Sequence, residues 1–273
     1  MILNICGGES GIRSNLIISN IFSLLKILEL RRCLSSDFDS GWQFANQQHI
    51  EMIDEHSYKS AEWFIENQNR YDNYKRNATR VYVGEYAAWT NHISNLHCAL
   101  AEAAFLSGLE RNGDVVLMSS YAPLLSKIGH SKGEPDLIHF SNTGVFPSIS
   151  YYVQQMFSTN SGDIYLDSVS SVSLGTENLA FSAVHDSRSD DLILKLVNYG
   201  GSAKQVHIKL PGDYANHPNV METLFTGDPL KVRDDSSGSD IIPKTSTIPV
   251  GPDFNHNALA YSLTIIRSQT ESK

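Results

Sequence analysis

From about residue 48 the chain alternates short apolar runs with longer segments whose apolar positions recur every three or four residues. That is the signature of strands alternating with helices. Residues 50–53 predict a strand that ends at Asp54-Glu55-His56, and Ser60 then caps a helix reaching about Tyr71, with Glu62 placed to favour its N-terminal dipole. Residues 80–84 predict the next strand, with Glu85 at its C-terminal end, and an Ala-rich helix follows over residues 93–109, its Leu96, Leu100, Ala103, Ala104 and Leu106 on or near one face. Residues 114–118 and 137–140 predict further strands, and residues 151–157 a closing helix. Strands and helices at this spacing form parallel βα units, in which polar chemistry gathers at the carboxyl ends of the strands. Asp54, Glu55, His56, Glu85, Tyr86, Ser119 and Tyr121 all fall there.

After about residue 160 the texture changes to strands separated by Gly, Asn, Asp and Ser, with candidates at 164–166, 179–185, 192–198, 205–210, 220–225 and 259–266. Val206-His207-Ile208-Lys209-Leu210 alternates strictly, as a strand with one buried face should. Asn198-Tyr199-Gly200-Gly201 supplies a turn, and residues 234–240 predict a flexible hairpin tip. The expected fold is therefore α/β plus all-β: parallel βα units over 48–160, then an antiparallel β-sandwich over 161–273. Residues 1–47 are atypical, expected to be helical or poorly ordered. Ile17, Ile21, Leu24, Leu25 and Leu28 place a helix over 14–32, and Gly7-Gly8-Glu9-Ser10-Gly11 lacks the Gly-Lys-Ser/Thr ending of a phosphate cradle.

Composition narrows the classes. The 273 residues, 41% hydrophobic and 19% charged, can bury a substantial core. A formal charge of −9 opposes binding to a phosphate backbone, so no nucleic-acid partner is expected. The most apolar early stretch, residues 16–30, is interrupted by Ser19, Asn20, Ser23, Lys26 and Glu29, so no membrane span is predicted. No basic segment and small-residue cleavage site mark a secretory signal. Cys6, Cys33 and Cys98 form neither a CxxC pair nor an even set, and the ten histidines show no HExxH spacing. Neither a disulfide framework nor a metal site is expected.

Two clusters carry possible chemistry. Glu85 follows a buried strand, where a carboxylate serves either structure or reaction. His56 and Tyr58 alternate on the preceding strand and can offer a ring nitrogen and a phenol to one cleft, although a lone histidine there is also a common packing or capping residue.

The blocks Asp54-Glu55-His56-Ser57-Tyr58-Lys59-Ser60-Ala61-Glu62-Trp63-Phe64, Val83-Gly84-Glu85-Tyr86-Ala87-Ala88, residues 99–112, Ser120-Tyr121-Ala122-Pro123-Leu124, Pro135-Asp136-Leu137-Ile138 and residues 151–160 resemble, in order and spacing, the α-L-arabinofuranosidases of glycoside hydrolase family 51. The resemblance spans roughly residues 48–270. It implies a (β/α)₈ TIM barrel followed by a β-sandwich, and retaining hydrolysis of terminal α-L-arabinofuranosyl groups from plant polysaccharides or oligosaccharides without a cofactor. It also implies Glu85 as nucleophile, with His56 and Tyr58 in the sugar subsite and Tyr86 and Asn142 as further contacts. Members of the family are often secreted, and Asn77-Ala78-Thr79 is a glycosylation sequon.

Retention needs a second carboxyl group about 5 to 5.5 Å from the nucleophile. The family supplies it from an Asn-Glu pair on an earlier strand, and no Asn-Glu precedes His56. Glu55, next to His56, should face the other way. Residues 48–158 hold three or four βα units where a barrel needs eight. The expectation is a partial barrel, the carboxyl-terminal part of a longer enzyme, without an assigned acid/base. An open strand edge in such a remnant predicts poor solubility or association. The rival reading is a catalytically inactive truncated homologue or a sugar-binding module.

Overall fold

The computed structural model describes residues 1–5, 30–33, 38–90, 93–130, 135–210, 219–232 and 239–268. The first half of the chain contains β1 (Ile2–Ile5), β2 (Leu30–Cys33), α1 (Phe38–Gln47), β3 (Met52–Lys59), α2 (Ala61–Glu66), β4 (Arg80–Ala88), α3 (Leu96–Arg111), β5 (Val116–Tyr121), β6 (Leu125–Lys127), β7 (Ile138–Phe140), β8 (Val145–Pro147) and α4 (Ile149–Thr159). The regular elements among the described residues of the second half are all strands: β9 (Ile164–Tyr165), β10 (Ser168–Ser170), β11 (Leu179–Asp186), β12 (Asp191–Asn198), β13 (Lys204–Lys209), β14 (Asn219–Thr226), β15 (Lys244–Pro249), β16 (Asp253–Ala258) and β17 (Ser262–Ser268).

Four layers stack. Strands β2, β3, β4 and β5 form a parallel sheet in sequence order. The helices cover one face of it. Ser60 and Asn95 cap α2 and α3 by accepting the Trp63 and Cys98 backbone N–H groups. Behind the helices lies an antiparallel sheet of order β15-β14-β17-β12-β11-β9, backed in turn by the sheet β10-β1-β13-β16. One core cluster runs from Ile53, Val81 and Val83 through Leu100 and Phe105 to Ile193, Val197 and Ile265. A second fills the space between the two rear sheets with Leu3, Phe181, Leu194, Val206 and Ile266.

Helix α3 is therefore covered on nearly every side, which explains why its sequence is Ala- and Leu-rich instead of cleanly amphipathic. Its Glu110 meets Lys195 of β12 at 2.8 Å and accepts the Ser182 hydroxyl at 2.6 Å. Burial lowers the Lys195 ammonium below its ordinary range, while Glu110 opposes that shift. This enclosed ion pair ties the helix layer to the sandwich.

Several expectations change. The chain's second residue already belongs to a strand: β1 pairs parallel with β13 and antiparallel with β10, so the sandwich is not wholly antiparallel and draws on the first residues, with Leu3 fully buried. Residues 30–33 are a strand beside β3, not the end of a helix; the remainder of the expected helix, like most of the 234–240 tip, lies outside the described residues. Strands β3 and β4 run four to six residues beyond their expected ends, so Asp54, His56, Tyr58 and Glu85 are strand residues. The helix expected to reach Tyr71 stops at Glu66 and continues as turns.

Candidate active site

Strand parity builds the site. Asp54, His56 and Tyr58 alternate on β3 and so share one face of the sheet, while Glu55 and Ser57 share the other. On β4 the register slips beside Glu55 and His56: Glu55 pairs with Val83 but His56 pairs with Glu85, leaving Gly84 as an extra residue. Such a bulge reverses the alternation beyond it. It brings Glu85 onto the face that carries His56.

The result is a continuous chain of contacts. Tyr58 donates its hydroxyl to Glu85 Oε2 at 2.9 Å, and His56 Nδ1 lies 3.1 Å from the same oxygen. The other ring nitrogen, His56 Nε2, lies 3.0 Å from Asp54 Oδ2. Asp54 and His56 are buried, but the Glu85 side chain is 34% exposed. Burial raises the Asp54 carboxyl above its ordinary value, with Glu85 pushing the same way and His56 and the Gly84 backbone N–H opposing. The Tyr58 ring stacks on Trp89 at 5.5 Å between centroids and 14° between planes. A reachable carboxylate held between a phenol and an imidazole beside an aromatic wall can attack an electrophilic carbon or bind a polyol.

Glu55 takes the opposite course. It is 1% exposed on the helix side, where its two oxygens accept from Trp42 Nε1 at 2.8 Å, Tyr71 OH at 2.8 Å and Tyr74 OH at 3.2 Å, with Arg70 Nε at 3.4 Å. It clamps α1 and the turns after α2 to β3.

Not every candidate joins the site. Tyr86 is next to Glu85 on an extended strand, so it turns into the core; it is fully buried and donates to Gln154 Oε1 at 2.6 Å. Its expected sugar contact is corrected by the same parity that removes Glu55. Asn142 is exposed in the turn between β7 and β8. The sequon residue Asn77 is exposed, while Thr79 is buried with its hydroxyl donating to Ile50 O at 2.8 Å. Asp54 and Trp89 are additions: the i, i+2, i+4 series ending at Tyr58 was the signal for Asp54. A groove of about 540 Å³ lined by Phe38, Trp42, Tyr74 and Thr79 lies toward the N-terminal ends of β3 and β4, away from Glu85.

Among the described residues no group of three or more His, Cys, Asp and Glu side chains could hold a metal ion, and no helix is long and apolar enough to cross a membrane.

Residues 84–263 match the model of the α-L-arabinofuranosidase C-terminal domain. The chain belongs to that family. The match opens on Gly84, so Glu85 lies inside it and His56 and Tyr58 precede it. Relatives of this α-L-arabinofuranosidase domain include an extracellular exo-α-L-arabinofuranosidase of Streptomyces chartreusis, 45% identical over 126 residues (46% of this chain and 15% of that protein). An α-L-arabinofuranosidase A of Aspergillus niger is 34% identical over 198 residues, 72% of this chain and 30% of that protein. The chain thus spans less than a third of these relatives' lengths. An arabinose-bound family 51 α-L-arabinofuranosidase structure superposes with a TM-score of 0.74 at 32% identity, covering 81% of this chain and 37% of the other. The Thermotoga maritima enzyme in its arabinose complex gives 0.74 at 14% identity, 88% and 57% covered, a likeness of fold.

Proposed function

We propose that this chain carries the nucleophile side of a retaining α-L-arabinofuranosidase site, on strands that form an arc of a (β/α)₈ barrel preceding the β-sandwich. The parallel order β2-β3-β4-β5, with the helices on one face and the Glu85 chain on the other, supports the barrel reading. The observation that carries the function is the partly exposed Glu85 carboxylate, gripped through one oxygen by Tyr58 and His56.

In this reading a Glu85 oxygen attacks the anomeric carbon of a terminal arabinofuranosyl group. The bond to the leaving oxygen breaks and a glycosyl ester forms. Water then cleaves that ester, releasing arabinose with its configuration retained and returning the carboxylate. Tyr58 and His56 hold the attacking oxygen and bound sugar hydroxyls, and Trp89 with Tyr58 forms an apolar wall. Substrates are arabinose-bearing plant polysaccharides or oligosaccharides, and the two-step displacement needs no cofactor.

The acid/base is assigned to no residue of this chain, because Glu55 faces away and is enclosed by its own donors. We read the chain as the carboxyl-terminal part of a longer enzyme. Its best substrates are then aryl α-L-arabinofuranosides, whose leaving group departs without a proton. Release of the aryl alcohol by this chain, lost in Glu85→Gln, is the expected result. Arabino-oligosaccharide binding with no turnover of either substrate class would favour the rival, a sugar-binding homologue built on the Tyr58 and Trp89 stack.

A further inference from the structure

We infer that Asp54 is a positioning residue that fixes the ring of His56 so that Nδ1, carrying its hydrogen, faces Glu85. Resting on the arabinofuranosidase reading, this deepens it by adding a residue that meets no substrate. The ring stands between two carboxyl groups, Asp54 Oδ2 at 3.0 Å from Nε2 and Glu85 Oε2 at 3.1 Å from Nδ1. Asp54 and His56 are 9% and 8% exposed, which leaves little access for water to substitute for either partner. Glu85 already accepts from Tyr58, and a second donor on the same oxygen is useful only if Nδ1 bears the hydrogen.

Asp54 secures that in either of two proton arrangements. An ionised Asp54 accepts from Nε2 of an imidazolium, or a protonated Asp54 donates to Nε2 of a neutral ring; the proton count is the same and Nδ1–H points at Glu85 in both. Without a partner at Nε2 the ring is free to turn over or to change tautomer.

Gly84 is part of the device. A methyl group there would overlap Asp54 Oδ1, so the bulge residue must lack a side chain for the carboxyl group to sit where it meets Nε2. One glycine therefore both turns Glu85 onto the His56 face and leaves room for the group that orients His56.

The test is the long-range proton–nitrogen-15 spectrum of the histidine rings in the full chain, with His56 assigned by its loss in His56→Gln. The wild-type ring should be protonated at Nδ1. Asp54→Ala and Gly84→Ala should lose that signature, while Asp54→Asn, whose amide can donate to Nε2, should keep it. With an aryl α-L-arabinofuranoside, Asp54→Ala should lower kcat on the order of 10²-fold with KM nearly unchanged, and Asp54→Asn should restore most of the loss. The inference is overturned if Asp54→Ala keeps the wild-type signature, or if Asp54→Asn loses it as Asp54→Ala does. A wild-type chain that shows Nδ1–H but turns nothing over sinks the functional reading and leaves the positioning role standing.

Discussion

Glu55 and Glu85 sit on neighbouring strands close to one register line, yet one is sealed and the other reachable. Glu55 is met by three hydroxyl or indole donors and a guanidinium, which use both oxygens. Glu85 has Tyr58 and His56 against one of its oxygens and exposes a third of its side chain. The contrast comes from backbone parity, not from the chemistry of the carboxyl group. An even strand position on β3 and a one-residue bulge on β4 decide which face each glutamate meets, and hence which one is enclosed and which one reaches solvent.

That contrast predicts opposite phenotypes. Glu85→Gln should reduce aryl arabinofuranoside hydrolysis by on the order of 10⁴-fold or more while leaving the thermal midpoint nearly unmoved. Comparable hydrolysis in both forms would remove Glu85 from the chemistry. Glu55→Ala should do the reverse and cost roughly 3 to 5 kcal/mol of stability, because Arg70 loses its carboxylate and three buried or half-buried donors lose their acceptor. Chemical denaturation measures it directly. A loss below about 1 kcal/mol would mean that α1 and the turns after α2 do not depend on this clamp.

A third carboxylate adds pH to the comparison. Glu102 of α3 is fully buried behind the end of β4, where it accepts the Ala88 N–H at 2.8 Å. Burial pushes its carboxyl up to about 8, against an ordinary 4.5. The folded state therefore holds a proton that the unfolded chain releases. Its contribution is complete below about pH 4.5 and is lost as pH rises through about 8, at up to ~1.4 kcal/mol per pH unit. Denaturation midpoints across pH 5 to 8 should fall with this slope in the wild type and flatten in Glu102→Gln. An unchanged slope in the variant would place the titration elsewhere.

Much of this was legible in the chain. The alternation over residues 50–118 placed Glu85, His56 and Tyr58 at the carboxyl ends of parallel strands, and the neighbour rule turned Glu55 away from His56. Applied one residue past Glu85, that rule would also have sent Tyr86 inward. What stayed hidden depends on pairing partners. The bulge at Gly84 exists only in the register between β3 and β4. Strand β1 is four residues that pair with β10 and β13, far along the chain, and β15 carries mostly exposed polar side chains, so it has no apolar rhythm of its own. Glu102 and Glu110 look like the polar positions of an amphipathic helix until the end of β4 covers the first and the rear sheet closes over the second.

The smallest effect isolates one hydrogen bond. Tyr58→Phe keeps the ring that stacks on Trp89 and removes only the hydroxyl that donates to Glu85. A hydrogen bond to a charged group is worth about 1.5 to 3 kcal/mol, so kcat should fall roughly 10-fold to 150-fold if the bond matters mainly for the displaced state. Stability should hardly change, since Tyr58 is half-buried and the stacked pair survives. If instead KM rises and kcat holds, the phenol belongs to sugar binding and Glu85 is steadied without it. That outcome would shift weight from the tyrosine to the Asp54–His56 pair as the group that aims the carboxylate.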